Sequence, residues 1–500
     1  MRGWLLITPV MLPLLAAAVS LALSRFRRVQ RLLGVVVLTA VLADCSALLV
    51  LADRHGPQVL AVGGWRAPIG ITLVADRLSA LLLTVAVAVA LAVLLFAIGQ
   101  GVADEGGAPS LAFHPAYLFL TGGVGLAFLS GDLFNLFVAF ELMLASSYVL
   151  ITLGAGAGRL QAGMTYTITS LTSSLLFLST IALTYAATGT VDLADLSGQL
   201  ARVPDGVRSV LSLLLLTVFG IKAAVVPLHF WLPDSYPTAP APITAVFAAL
   251  LTKVGVYAMV RTQTLLFPRT EVWTLLAVAA VVAMLVGVLG ALAQDDINRL
   301  LSFVLVSHIG YMLFGLALFT VGGLTGTVLY TVHHITVQAA LFLVAGVTVS
   351  MTGTPALRRM RRMAPPPTTI AVLFLLPALS LAGVPPLSGF VAKLALLRAG
   401  AADPAPVVPA LVAAALLTSL LTLYAMARVW RYAYASGATR TVERPGRGTV
   451  LMRTASVGLV LVGLALVVCA GPLAELSERA AVDLVERDSY RNAVLREGQP

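Results

Sequence analysis

The chain has 500 residues, of which 59% are hydrophobic and 11% charged, with a formal net charge of +10. A soluble globular chain is nearer half apolar and a quarter charged, so these proportions exclude an aqueous fold. The arginines sit in loops between apolar runs, a pattern that orients membrane helices and does not indicate nucleic acid.

Apolar runs of about 20 residues, the length that crosses a hydrocarbon core, mark the spans. Fourteen are expected, at 4–24, 32–52, 77–99, 111–130, 132–153, 162–187, 207–228, 241–263, 272–293, 300–320, 323–350, 369–397, 406–430 and 450–470. The first run imitates a signal peptide, yet its basic cluster, Arg25, Arg27, Arg28 and Arg31, follows the run instead of preceding it. That order makes it a retained first helix with its N-terminus outside. Alternation from there gathers Arg25–Arg31, Arg159, Arg299, Arg358–Arg362 and Arg428–Arg447 on the inner side. An even number of spans sends the tail, 471–500, outside. There Leu473, Leu476, Ala480, Val482 and Leu484 are spaced for a short surface helix.

No long soluble domain interrupts the spans. The sequence has no Walker A motif, no glycine-rich dinucleotide fingerprint and no HExxH. Cys45 and Cys469 lie in apolar runs without a CxxC pair, so neither a disulfide framework nor a metal or iron–sulfur site is expected. With no cofactor expected, the driving energy is assigned to an ion gradient or a partner.

Ionisable residues inside spans cost from about 3 kcal/mol upward at the helix centre. Glu141 in FNLFVAFELMLASSYVLI and Lys253 in AVFAALLTKVGVYAMV are near mid-span, too deep to snorkel. Lys222 and Lys393 lie nearer the ends, where snorkelling explains either alone. Lys222 is followed by Pro227, however, and Lys393 is preceded by Pro377, Pro385, Pro386 and Gly389. Proline removes a backbone donor and clashes with the preceding turn, so both spans are expected to be broken, as in helices that line ion pathways. The lysine precedes one break and follows the other, the order an inverted repeat would produce. His308, His333 and His334 fall on neighbouring spans between the two breaks and suit proton exchange near neutral pH. His229 and Asp234 are read as structural, Asp295, Asp296 and Arg299 as a charged turn that caps a helix, and His55 and His114 as surface residues.

Three segments carry a family resemblance: KAAVVPLHFWLPDSYPTAPAPITA, QDDINRLLSFVLVSHIGYM and LAGVPPLSGFVAK. They resemble the proton-conducting antiporter-like subunits shared by Mrp-type multisubunit cation/proton antiporters, respiratory complex I and membrane-bound hydrogenases. The resemblance covers roughly residues 75–430. It implies an all-α polytopic membrane protein of about 14 helices: N-terminal helices in 1–110, inverted five-helix repeats in 111–263 and 272–430, and a last helix with a short external tail in 450–500. It also implies a chain of buried charges onto which Glu141, Lys222, Lys253 and Lys393 fall. FNLFVAFE followed by ASSYVLI is similar to the D-type subunits of the Mrp antiporters, and Lys393 in place of a glutamate argues against the middle pump subunit of complex I. The family's HHxxxK-like pattern ends here in Gln338, which cannot hold a proton, so a relay there leans on His333 or His334. The implied partners are the other membrane subunits of such a complex, protons and a monovalent cation, expected to be Na⁺, in a bacterial cell membrane. The alternative implied is a proton-pumping subunit of a redox-driven complex.

In the mechanism expected from these residues, Glu141 and Lys222 form a buried pair. A proton or cation arriving near Glu141 weakens that pair, and the disturbance passes through Lys253 and the histidines to Lys393.

Overall fold

The computed structural model describes residues 2–102, 112–154, 156–267, 272–435 and 447–496. The part of the basic 428–447 stretch at 436–446 lies outside these. So does the domain boundary expected at 110/111.

Helices follow one another almost without interruption, because a bilayer offers the backbone no partner except its own carbonyls. The first half runs α1 (Arg2–Ala22), α2 (Arg27–His55), α3 (Arg77–Gln100), α4 (Phe113–Leu129), α5 (Leu133–Thr152), α6 (Ala157–Thr188), α7 (Leu193–Gln199), α8 (Asp205–Ala223), α9 (Trp231–Ser235), α10 (Ala241–Val246) and α11 (Thr252–Leu266). The second continues α12 (Val272–Ala293), α13 (Ile297–Leu318), α14 (Val321–Thr352), α15 (Leu357–Met360), α16 (Thr368–Ala382), α17 (Ser388–Ala401), α18 (Val408–Ala433), α19 (Arg447–Val468), α20 (Ala470–Glu486) and α21 (Asp488–Arg496). A short antiparallel hairpin, β1 (Gln58–Ala61) and β2 (Thr72–Ala75), joins α2 to α3. Among the described residues, 12 helical segments are long and apolar enough to cross a membrane. The shorter α4 and the α16–α17 pair occupy the two remaining ranges read from the sequence.

The most enclosed segments are 241–266, 297–318 and 321–352, whose apolar windows are 100%, 94% and 83% buried. These carry Lys253, His308 and the His333–His334 pair. Chemistry-bearing side chains thus concentrate where lipid is farthest away.

Two helix pairs are tied together alike. At one end of α5–α6, Leu133 N donates to Val191 O and Leu193 N to Gly131 O. At one end of α13–α14, Ile297 N donates to Pro355 O and Leu357 N to Asp295 O. Each residue of the second set follows its counterpart by 164 positions, as 297 follows 133 and 355 follows 191. The same interval relates the left-handed glycine caps Gly189 and Gly353, which end α6 and α14 after 32 residues each. Asp132 and Asp296 cap the partner helices α5 and α13.

The two breaks are also closed alike. Helix α8 ends on Ala224 (φ 57°) and α16 on Gly383 (φ 89°), both left-handed. Val225 N then donates to Gly220 O and Val384 N to Leu379 O, which satisfies carbonyls that the break would otherwise orphan. Pro377 does not contribute to the second break: it sits inside α16, and the chain leaves the helix only at Gly383, ahead of Pro385 and Pro386.

Two expectations are corrected. His114 is a buried residue of α4, packed edge-on against Phe113. The tail is two helices strapped to the bundle, not one short surface helix. Arg77 bridges Asp53 (3.0 Å) and Asp483 (2.7 Å), Arg479 reaches Asp53 (2.9 Å), and Tyr490 lies 4.8 Å from the Arg261 guanidinium, which itself pairs with Asp76 at 2.6 Å.

Candidate functional site

Polar groups at membrane depth fall into two clusters with Lys253 between them. In the first, Lys222 occupies the last turn of α8, and its Nζ donates to Ser174 Oγ (3.0 Å) and Ser170 O (3.2 Å) of α6. The ammonium lies 5.4 Å from the centre of the Phe140 ring. Trp231, just past the break, donates its Nε1 to Ile221 O and so holds the interrupted chain against the end of α8. Phe140, Tyr166, Ser170, Lys222 and Trp231 line a cavity with about 30 Å³ open to the centre of a water, enough for one or two molecules.

Glu141 is on the neighbouring turn of α5, partly exposed on the flank of the bundle, and its Oε1 has no hydrogen-bond partner. The expected contact between Glu141 and Lys222 is not made: among the described residues no ion pair links them. Ser170 and Ser174 of α6 hold the ammonium instead, and Glu141 acts on it through space without contact.

Lys253 is fully buried at the start of α11, immediately after a π-helical turn, Phe247–Leu251. Such turns carry one residue more than an α-turn and recur at functional sites. Lys253 Nζ folds back onto this turn, donating to Ala248 O at 2.6 Å and to Thr252 Oγ1 at 3.3 Å. Helices α8 and α11 touch at Gly255, where an added Cβ would sit 2.7 Å from Ala223 N and 3.0 Å from the carbonyl carbon of Lys222. Only glycine there lets the backbones bearing Lys222 and Lys253 approach so closely.

The second cluster joins α13, α14, α17 and α18. His308 Nδ1 bonds Tyr330 OH at 2.6 Å and its Nε2 bonds Thr422 Oγ1 at 3.3 Å. The His334 ring is centred 5.4 Å from that of His308, and neither His334 nitrogen has a hydrogen-bond partner although the residue is fully buried. His333 Nδ1 bonds Ser388 Oγ at 2.9 Å, and Ser388 Oγ meets Ser380 Oγ across the second break at 3.1 Å. Lys393 Nζ donates to Leu381 O (2.9 Å), Ala382 O (3.1 Å) and Ser419 Oγ (2.9 Å), and lies 4.7 Å from the Tyr311 ring centre. Carbonyls freed where α16 ends thus solvate a lysine carried by the next helix. Gly389 permits this packing, since a Cβ there would run into Ser380 O and come within 2.9 Å of His333 Nε2.

Gln338 donates its Nε2 to Leu301 O at 3.0 Å, while its buried Oε1 has no partner. The orphaned buried ring nitrogens of His334 and His333 and the Gln338 Oε1 are what water or a proton-bearing group would satisfy.

The reading from sequence alone passed over the uncharged members: Ser170 and Ser174, Tyr311 and Tyr330, Ser380, Ser388, Ser419 and Thr422. A signal was available. Tyr166, Ser170 and Ser174 stand at i, i+4 and i+8 on α6, and Tyr330, His334 and Gln338 repeat that spacing on α14, 164 positions later. Asp234 takes a defined place as well, paired with Arg299 at 2.9 Å, so the loop after the first break is tied to the charged turn before α13.

Comparison with known proteins supplies the wider frame. Residues 130–422 match the family described as the NADH:quinone oxidoreductase/Mrp antiporter membrane subunit. The D-type subunit of the Na⁺/H⁺ antiporter of Alkalihalophilus pseudofirmus is 37% identical over 99% of both chains, and that of Bacillus subtilis is 34% identical over 98% of this chain and 99% of its own. A chain in the solved Mrp complex from Dietzia superposes with a TM-score of 0.88 at 32% identity, covering 99% of each chain.

Proposed function

Because the chain belongs to the NADH:quinone oxidoreductase/Mrp antiporter family of membrane subunits, we propose that it is the proton-conducting D-type subunit of a multisubunit cation/proton antiporter. It is a multi-pass membrane protein, and its relatives set that membrane as a bacterial cell membrane. The observation that carries the reading is the 37% and 34% identity over nearly the whole chain to D-type antiporter subunits, against 25% to a chain of an archaeal membrane-bound sulfane sulfur reductase that superposes with the same TM-score of 0.88. This favours an ion-gradient-driven assembly over a redox-driven one, with Na⁺ as the exchanged cation.

In this reading Glu141, Lys222, Lys253, His308, His333, His334 and Lys393 conduct the proton. Glu141, at the flank, receives charge. Lys222, which lines the small cavity, answers, Lys253 responds through the α8–α11 contact, and His334 bridges to the His308–Tyr330 pair and on to Lys393. Each step is electrostatic: a change at one group alters the charge its neighbour can hold in a medium of low dielectric constant. We assign 111–263 and 272–430 as inverted repeats, with 1–110 and 450–500 as flanking helices. The 164-residue interval in hydrogen bonds, caps and polar spacing supports this assignment. Membrane vesicles containing the whole assembly test the function: a pH probe should report cation-dependent proton movement with the native chain and none with Lys222→Ala or Glu141→Ala at equal assembly. Retained movement in both variants overturns the reading.

A further inference from the structure

One carboxylate at membrane depth belongs to neither cluster. Asp44 lies on α2, 17 residues after Arg27 and 11 before His55, which places it about 17 Å from the nearer helix end. Its side chain is partly exposed, yet Oδ2 is buried without a hydrogen-bond partner, and no ion pair reaches it among the described residues. Hydrocarbon cannot supply a counter-charge, and an aspartate is too short to snorkel out from that depth.

The surface around Asp44 is suited to a helix. Leu38, Val41, Cys45 and Leu48 face the bundle, where Thr84 of α3 donates to Cys45 O at 3.1 Å. The outward face carries Thr39, Ala40, Ala43, Ser46 and Ala47, all exposed. Small residues at 39, 43 and 47 let a second helix backbone come close, which is how helices associate when lipid removes the hydrophobic incentive. Larger exposed side chains, Val36 and Val50, stand at either end of this strip. The shape fits another helix, and an ionised Asp44 needs a counter-charge that only a partner can bring.

We propose that this face of α2 receives a transmembrane helix of a partner subunit, and that the helix carries a lysine or arginine that pairs with Asp44. The proposal rests on the reading that the chain works inside a multisubunit assembly. A second copy of this chain is a poor occupant, because a symmetric contact would set one Asp44 against the other.

The test uses the whole assembly, with a photo-cross-linking phenylalanine analogue in place of Val36 or Val50. The expected product joins α2 to a transmembrane segment of a partner subunit with Lys or Arg near its middle. Asp44→Lys should lower recovery of that subunit about tenfold or more by like-charge repulsion, and changing the partner's basic residue to aspartate should restore it. Asp44→Asn, which keeps the shape, serves as the folding control through the chain's own yield. Capture of lipid alone, of a second copy or of a helix without a basic residue overturns the inference, as does unchanged recovery with Asp44→Lys. A chain that purifies alone overturns this inference and the assembly reading together. A complete assembly with only lipid captured at both positions overturns this inference alone.

Discussion

The two polar clusters are built on one frame and filled with different chemistry. On α6 the frame presents Tyr166, Ser170 and Ser174; on α14, at the same spacing, it presents Tyr330, His334 and Gln338. The first set holds a lysine that ends the helix before its break, the second adjoins a lysine that begins the helix after its break. Serine hydroxyls can solvate a charge but cannot carry one at neutral pH, whereas a histidine can. In the proposed relay, keeping the backbone while changing the side chains separates a station that holds charge in place from one that passes it on.

That comparison can be broken most severely at the lysines. Lys222→Ala and Lys393→Ala should each reduce cation-dependent proton movement in vesicles to background, a drop of about 100-fold if both ends are required in series; residual transport in one alone would show that the clusters act separately. Next, His334→Ala should slow transport about tenfold and Ser170→Ala by less than about threefold, measured by the same pH probe, because Lys222 uses the backbone carbonyl of Ser170 and not its hydroxyl. Equal losses would show that the two frames do the same work.

The glycine contacts give a stability comparison. Gly389→Ala drives a Cβ into Ser380 O and should cost about 2–3 kcal/mol, while Gly255→Ala, whose nearest atoms leave a little more room, should cost about 1–2 kcal/mol. Thermal unfolding in detergent checks the order.

A pH-dependent effect lies where the start of α5 meets the end of α6. Burial and the neighbouring Asp192 carboxylate push Asp132 up to about 6. A carboxylate raised in the folded state binds a proton that the unfolded chain has already lost, so its contribution to stability falls as pH rises from about 4 through about 6. Asp132→Asn keeps the helix cap and should flatten that slope, a gain of up to about 3 kcal/mol above pH 6, seen as a higher melting temperature at pH 8 but not at pH 4.

The membrane crossings were legible because bilayer thickness imposes a length that composition alone reveals. Glu141, Lys222, Lys253 and Lys393 were legible because charge is rare in such helices. What escaped was whatever carries no charge signal. The second break was expected from its prolines, but its exact place at Gly383 was not, because Pro377 is tolerated inside the helix. Ser174 and Ser419 are ordinary residues until a lysine is laid against them. Asp44 is the exception: a carboxylate near the middle of 32–52 carries the same charge signal as Glu141, and it was passed over. The separation of Glu141 from Lys222 depends on which α6 side chains reach the ammonium first, a tertiary fact with no local pattern behind it.

The π-helical turn before Lys253 has a geometric consequence. A π-turn is an α-helix carrying one surplus residue, and each residue of a helix advances the side chains by about 100° around its axis. Removing one residue from Phe247–Leu251 would straighten the segment and swing Lys253, Tyr257 and Arg261 together by more than a quarter of a revolution. The lysine would turn away from its present neighbours while the arginine abandoned Asp76 and Tyr490. The heading of the central lysine is therefore stored in the residue count of the helix, so a one-residue deletion there would disturb more of the protein than replacing the lysine itself.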